Sequence, residues 1–204
     1  MDSKNHWETL YRSKNHKDVS WYADHIAHSL ELIQSMGLKS DASLIDVGGG
    51  ASTLAEDLLE LGYSRISVLD VSSAALNIAR LRLGDKASRV IWLETDLLHH
   101  DFPAGAYDFW HDRAVFHFLT EEPDRQTYRS LATRAIKHGG YLLMSVFSDE
   151  GPEKCSNIYV RRHATSELES FFEKDFEPVK SSRHSHITPT GVNQSFATVL
   201  LRKK

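Results

Sequence analysis

Between residues 43 and 147 short β-rich runs alternate with helical segments, and this alternation narrows the folds open to the chain more than any other feature. The strand candidates are 43–47, 65–70, 89–93, 107–111 and 140–147; helical stretches lie between them at 53–61, 73–83, 115–119 and 124–137. Repeated strand–helix–strand units build a parallel sheet through right-handed crossovers. The end of the chain breaks the pattern. Residues 167–173 read as a helix, and 176–182 and 195–201 are then extended with no helix between them. Two consecutive strands without a crossover helix pair antiparallel. The expectation is an α/β fold: a seven-stranded, mostly parallel sheet with an antiparallel last strand and helices on both faces.

At 204 residues the chain can bury one core without disulfides or metals. It has no internal repeat or Pro/Gly/Ser-rich linker, so 1–204 is expected to be one domain, with 1–40 as an N-terminal helical cap and 43–204 as the core. Within the cap, 4–12 and 21–36 read as helices; Ile26, Leu30 and Ile33 recur at helical spacing and Gly37 ends the second. The net charge of −4 provides no general field for nucleic acid or an anionic membrane. No apolar run approaches the roughly 18 residues of a membrane span, and the first residues lack the apolar core of a secretory signal. A cytoplasmic monomer or homodimer, with neither nucleic acid nor membrane as partner, is expected. The single cysteine, Cys155, excludes a disulfide framework and a multi-cysteine zinc site. Of the 12 histidines, His99-His100 and His184-x-His186 suggest metal ligands, but no third ligand stands at a helpful spacing, and no metal is expected.

In an open α/β sheet, ligands bind beyond the carboxyl ends of the strands. The first strand runs Leu44-Ile45-Asp46-Val47 into Gly48-Gly49-Gly50, followed by a Ser52-Thr53 pair suited to capping the next helix. Glycines permit a tight turn and close approach of backbone to ligand. Thr53 stands where a nicotinamide or flavin fingerprint needs its third glycine. The second strand ends at Asp70, beside Val71, where a carboxylate accepts hydrogen bonds from both hydroxyls of a ribose. Asp70 is also a candidate helix cap, a task Ser72 performs equally well. Past the third strand, Asp96 suits an adenine amine and Leu97 its ring face; a turn-forming loop aspartate is the other reading. The fourth strand closes in His111-Asp112-Arg113.

From residue 43 to about 147 the chain resembles the class I methyltransferases, whose glycine turn is commonly D-x-G-x-G without the third glycine. Trp7-Glu8-Thr9-Leu10-Tyr11 and Ser20-Trp21-Tyr22 resemble the W-x-x-x-Y and W-[FY] elements of protein-lysine methyltransferases that modify a translation elongation factor or citrate synthase. The segments 110–118 and 151–156 are similar instead to small bacterial methyltransferases. Asp112-Arg113 stands where the lysine methyltransferases have an acid and a lysine, and Ala114 replaces their glycine. The resemblance implies a Rossmann-like sheet under an N-terminal helical lid. It further implies S-adenosylmethionine as cofactor and S-adenosylhomocysteine as product, with Asp46, Gly48, Gly49, Gly50, Asp70, Val71, Asp96, Leu97 and Arg113 around them. By matching positions, Trp7, Tyr11 and Trp21 close over the sulfonium end, and aromatic faces do attract cations. Stapling of the N-terminal helices to the sheet is the other role open to these rings.

Methyl transfer from a sulfonium is an in-line displacement in which the protein mainly aligns the reactants. A base is needed only for a protonated acceptor, and the candidates are Asp112, best placed past the fourth strand, and His117; His111 is expected to point the other way. His184, His186 and Gln194, in the polar connection between the last two strands, are candidate substrate contacts. A small-molecule acceptor is the leading expectation, with the lid drawn from residues 1–36 and 148–163 because no substrate domain is inserted. The same brevity suits an open pocket for a protein side chain, the alternative, and a non-catalytic cofactor-binding protein is a third reading. Cytosine C5 and base-amino methylation are set aside, because Cys155 lies outside a Pro-Cys context and 111–114 is no [DNS]-P-P-[YFW] motif.

Overall fold

The computed structural model describes residues 3–204. Its elements are α1 (Ser3–Ser13), α2 (Ala27–Ser35), β1 (Ser43–Val47), α3 (Leu54–Glu60), β2 (Arg65–Asp70), α4 (Ser73–Leu83), β3 (Val90–Glu94), β4 (Tyr107–Arg113), α5 (Glu122–Ala135) and β5 (Ile136–Phe147). After them come a small hairpin of β6 (Lys154–Cys155) and β7 (Ile158–Tyr159), then α6 (Thr165–Phe172), β8 (Phe176–Ile187) and β9 (Asn193–Lys203). Short 3-10 turns occupy Gly84–Arg89, Leu97–His99 and Phe116–Phe118.

Seven strands form one sheet in the order β3-β2-β1-β4-β5-β9-β8. Strands β1 to β5 pair in parallel, and β9 runs antiparallel between β5 and β8. The seven-stranded, mostly parallel sheet expected from the alternation is present, with β9 as its antiparallel member. Side chains alternate faces along a strand, so each central strand feeds two cores. Ile45, Val47, Trp110, Leu142 and Met144 pack on one side with α5 and α6. Leu44, Phe109 and Leu143 pack on the other with α2, α3 and α4.

Several boundaries differ from the sequence reading. The helix expected over 21–36 begins only at Ala27. Residues 20–25 instead form an irregular strap across the strand ends: Arg113 Nη1 donates to the Trp21 carbonyl at 2.9 Å, and His186 Nε2 donates to that of Ser20 at 2.8 Å. These partners lie far along the chain and override local helical periodicity. Strand β4 runs on to Arg113, and β8 and β9 each exceed the expected lengths. The β6–β7 hairpin was not anticipated. Its two turn residues, Ser156 and Asn157, take positive φ of 51° and 63° without a glycine to signal them.

Candidate functional site

The carboxyl ends of β1, β2, β3 and β4 open on a cavity of about 580 Å³. Gly48 forms part of its floor, at φ +66°, where a Cβ would run into Val115. Gly50 turns at φ +39° behind it, and a Cβ there would lie 2.7 Å from Asp70 Oδ2. At Gly49 the added atom would collide with Asp46 and Val68. The turn is pinned at both ends. Gly49 N–H donates to Leu69 O at 3.2 Å, and Arg82 reaches back from α4 to the carbonyls of Ala51 and Ser52 at 3.0 and 2.6 Å. Sequence reading missed Arg82, because its partners lie 30 residues away.

Asp70 lines the cavity and is 8% exposed. Ser72 N–H donates to its Oδ1 at 2.8 Å, while the Ser72 hydroxyl caps α4 by accepting from Ala75 N–H. The capping task thus falls to Ser72. Burial pushes the Asp70 carboxyl up to about 7, with the nearby charges of Asp46 and Glu8 adding to the rise. Val71, Asp96 and Leu97 continue the wall. Asp96 Oδ1 also accepts from Leu98 N–H at 2.9 Å, so the same residue shapes its turn.

Trp7, Tyr11 and Trp21 form the opposite wall. Trp7 packs edge-on against Trp21 and Phe118, with centroids 5.7 and 5.2 Å away, and Trp21 Nε1 donates to Tyr11 Oη at 3.1 Å. These rings therefore both staple the N-terminal segment and face the cavity. Burial raises the Tyr11 phenol well above its ordinary range and the Cys155 thiol up to about 12. Cys155 lines the cavity too, a position its sequence context did not signal.

Tyr11, Trp21, Gly48 and Arg113 also border a second, smaller cavity of about 50 Å³. Asp46 and Gly49 face this smaller space; Gly50 borders neither. Asp46 is buried and accepts from His111 Nδ1 at 2.7 Å, and His111 Nε2 accepts from Ser29 Oγ at 2.9 Å. Burial lowers the Arg113 guanidinium to about 10; its head stacks 5.3 Å from the Phe196 ring centroid.

Six sequence expectations need correction, the direction of His111 among them. Asp112 does not reach either cavity. It is wholly buried on the α5 side, its oxygens accepting from Val115 N–H at 2.9 Å, Phe116 N–H at 3.1 Å and Tyr128 Oη at 2.7 Å. Alternation along β4 sends the neighbouring His111, not Asp112, toward the glycine turn. His117 is also fully buried, accepting weakly from Phe147 N–H at 3.4 Å, and burial lowers its imidazole to about 3. His184 stacks on His28 with centroids 4.1 Å apart and is bonded to Thr198. His186 holds the Ser20 carbonyl, and Gln194 is buried at 6% exposure; none of these three lines the cavities described.

A family model described as "Methyltransferase domain" matches residues 44–140. Among curated relatives, the eEF1A lysine and N-terminal methyltransferase of Bos taurus is 28% identical over 153 residues, covering 71% of this chain and 21% of the relative. The chain spans about a fifth of the length of the first relatives it matches. The N-methyltransferase NodS from Bradyrhizobium japonicum WM9, solved with S-adenosyl-L-homocysteine, superposes with a TM-score of 0.74 at 18% identity, covering 98% of each chain. The 1,6-didemethyltoxoflavin-N1-methyltransferase of Burkholderia thailandensis has a TM-score of 0.69 at 20% identity over 88% of this chain and 77% of its own. The lining also fits the cofactor, since the buried Asp70 carboxyl faces the cavity from β2 and Gly48 borders it at φ +66°, where Val115 leaves no room for a side chain. Residues 44–140 thus match a methyltransferase-domain model, and the chain shares the fold of solved methyltransferases, two of them with S-adenosylhomocysteine bound.

Proposed function

We propose that this protein transfers a methyl group from S-adenosylmethionine to a nitrogen that is nucleophilic in its neutral form, carried by a small molecule. The observation that supports this reading is the larger cavity itself. Its β2 and β3 walls hold Asp70, Asp96 and Leu97, and its α1 and strap wall holds Trp7, Tyr11 and Trp21. When bound, the cofactor supplies an electrophilic methyl group on a sulfonium. Asp70 would accept from its ribose hydroxyls, Asp96 and Leu97 would hold the adenine, and the aromatic wall would face the cationic sulfur. Arg113, bordering both cavities, is the cation available to a carboxylate.

Proton bookkeeping at the aromatic end supports a nitrogen acceptor, while Asp96, His99 and Asp124 are further titratable groups that line the cavity. Both base candidates, Asp112 and His117, are sealed in the core. The titratable groups at the aromatic end, Tyr11 and Cys155, are held protonated by burial. An amine or ring nitrogen that arrives with a free lone pair needs no base, and alignment supplies most of the rate. A protein lysine is the second reading, favoured by the relatives named for eEF1A lysine methylation. One domain over 1–204, with 1–40 as its cap, and a cytoplasmic location belong to the same proposal. No helix among the described residues is long and apolar enough to cross a membrane.

Isothermal titration with S-adenosylmethionine tests the cofactor, and a failure to bind near micromolar concentration overturns the reading. Tritiated cofactor incubated with fractionated lysate then separates the acceptors. Label in small solutes supports the first reading, and label in protein supports the second.

A further inference from the structure

Helix α1 presents Trp7 and Tyr11, one helical turn apart, to the larger cavity. Glu8 lies on the same helix, is not among the residues lining that cavity, and points instead at the start of α4. Its Oε2 accepts from Ser72 Oγ at 2.8 Å and from Ala74 N–H at 3.1 Å, and its Oε1 accepts from Ser73 Oγ at 3.1 Å. Arg12, one turn further along α1, donates to Oε1 at 2.8 Å and aims the carboxylate.

Two facts make this more than an ordinary helix cap. First, α4 already has a local cap, the Ser72 hydroxyl that accepts from Ala75 N–H. The carboxylate adds charge at the positive end of the helix and satisfies Ala74, but what it gains for the fold is the attachment of α1. Second, α4 begins directly after Asp70 and Val71, which line the cavity from the side opposite Trp7 and Tyr11. The Glu8 bonds therefore span the two walls of the cavity at their rim. The remaining polar ties of α1 include the Tyr11 Oη bond from Trp21 Nε1 and a His6–Ser156 contact, both part-buried at 3.1 Å, and an exposed Lys4–Glu94 pair at 2.9 Å. The exposed ion pair contributes little.

We propose that Glu8 is a latch: its carboxylate holds α1 shut against α4, so that Trp7 and Tyr11 cover the donor cavity, and donor and spent donor exchange when the latch opens. The donor part of this statement rests on the methyltransferase reading above. Glu8 is here a positioning residue, acting through the helix that carries the two rings. Its carboxyl is depressed to about 2, first by the Ala74 N–H and then by Ser72, Arg12 and Ser73, so the latch is charged throughout the neutral range.

The test compares wild type with Glu8→Ala and Glu8→Gln in two measurements. Hydrogen exchange of the free protein should speed up in residues 4–13 of the alanine variant and stay unchanged in β4 and β5. Stopped-flow tryptophan fluorescence should show S-adenosylhomocysteine leaving that variant at least about tenfold faster, the scale of losing hydrogen bonds to one charged group. The glutamine variant, which keeps an acceptor oxygen without the charge, should fall between. Unchanged exchange in α1 overturns the latch. So does a faster release that merely tracks faster exchange in the core strands. If wild type binds no S-adenosylhomocysteine, the methyltransferase reading falls, while exchange in α1 still decides whether Glu8 holds that helix.

Discussion

His111 Nδ1 lies 2.7 Å from Asp46 Oδ1, joining the last turns of β4 and β1 directly beneath the glycine loop. The ring's other nitrogen takes the Ser29 hydroxyl of α2 at 2.9 Å, so one side chain ties the loop's support to the cap segment. Replacing His111 with alanine strands a buried carboxylate, and removing one partner of such a pair costs about 2–4 kcal/mol. Thermal melts of His111→Ala should show a midpoint lowered by roughly 5–10 °C. Titration at a temperature where the variant is folded should show weaker S-adenosylhomocysteine binding, because the Asp46 carboxylate adjoins Gly49.

Asp70 governs a pH dependence. Its carboxyl sits near 7 in the free protein, and ribose hydroxyls bind the ionised form. Affinity for S-adenosylhomocysteine should therefore be flat above about pH 8 and fall by nearly tenfold per unit below pH 7. Calorimetry from pH 5.5 to 8.5 measures this. The stability sign is opposite to that of a salt-bridged aspartate. The folded value is raised, so folding is penalised where the group is ionised in both states, and the penalty fades as pH falls through 7 toward 4. Asp70→Asn should melt higher than wild type at pH 8, bind severely more weakly, and lose the pH dependence of binding. A variant that binds like wild type would remove Asp70 from the cofactor site.

Gly50→Ala places a methyl group 2.7 Å from Asp70 Oδ2 at a backbone angle of φ +39°. Both the left-handed conformation and the contact resist it, at about 1–3 kcal/mol together. We expect a loss of cofactor affinity of about thirtyfold, roughly 2 kcal/mol, in protein that is still folded, because the Asp70 carboxyl must shift to admit the methyl group. Parallel titration and chemical denaturation separate the loss of affinity from the cost to folding.

Asp112 is a structural acceptor in this fold. Asp112→Ala would orphan Val115 N–H, Phe116 N–H and Tyr128 Oη, three buried donors, and should cost about 3 kcal/mol or more. Tyr128→Phe removes one of these bonds and also strands the buried Trp110 Nε1, which donates to Tyr128 Oη at 3.1 Å, and should cost about 2–3 kcal/mol. Once an acceptor is known, kcat of Tyr128→Phe should remain within about threefold of wild type, since the bond lies away from the cavity. A loss of a hundredfold at unchanged stability would restore Asp112 to the chemistry.

The order of strands and helices, the glycine turn and the carboxylates at the ends of β2 and β3 were legible in the sequence because each depends on local pattern. Period-2 runs make strands, 3.6-period runs make helices, and a tight turn needs glycine whatever surrounds it. The tertiary structure alone decided which way β4 presents its polar end. Alternation says only that His111 and Asp112 face opposite sides; the pairing of His111 with Asp46 and the packing of Tyr128 from α5 choose the sides. The same holds for the strap at 20–25, the Arg82 clamp on the glycine turn and the Glu8 bonds to α4. Their hydrogen bonds join residues 30 to 166 positions apart, and no periodicity along a chain encodes a partner at that distance.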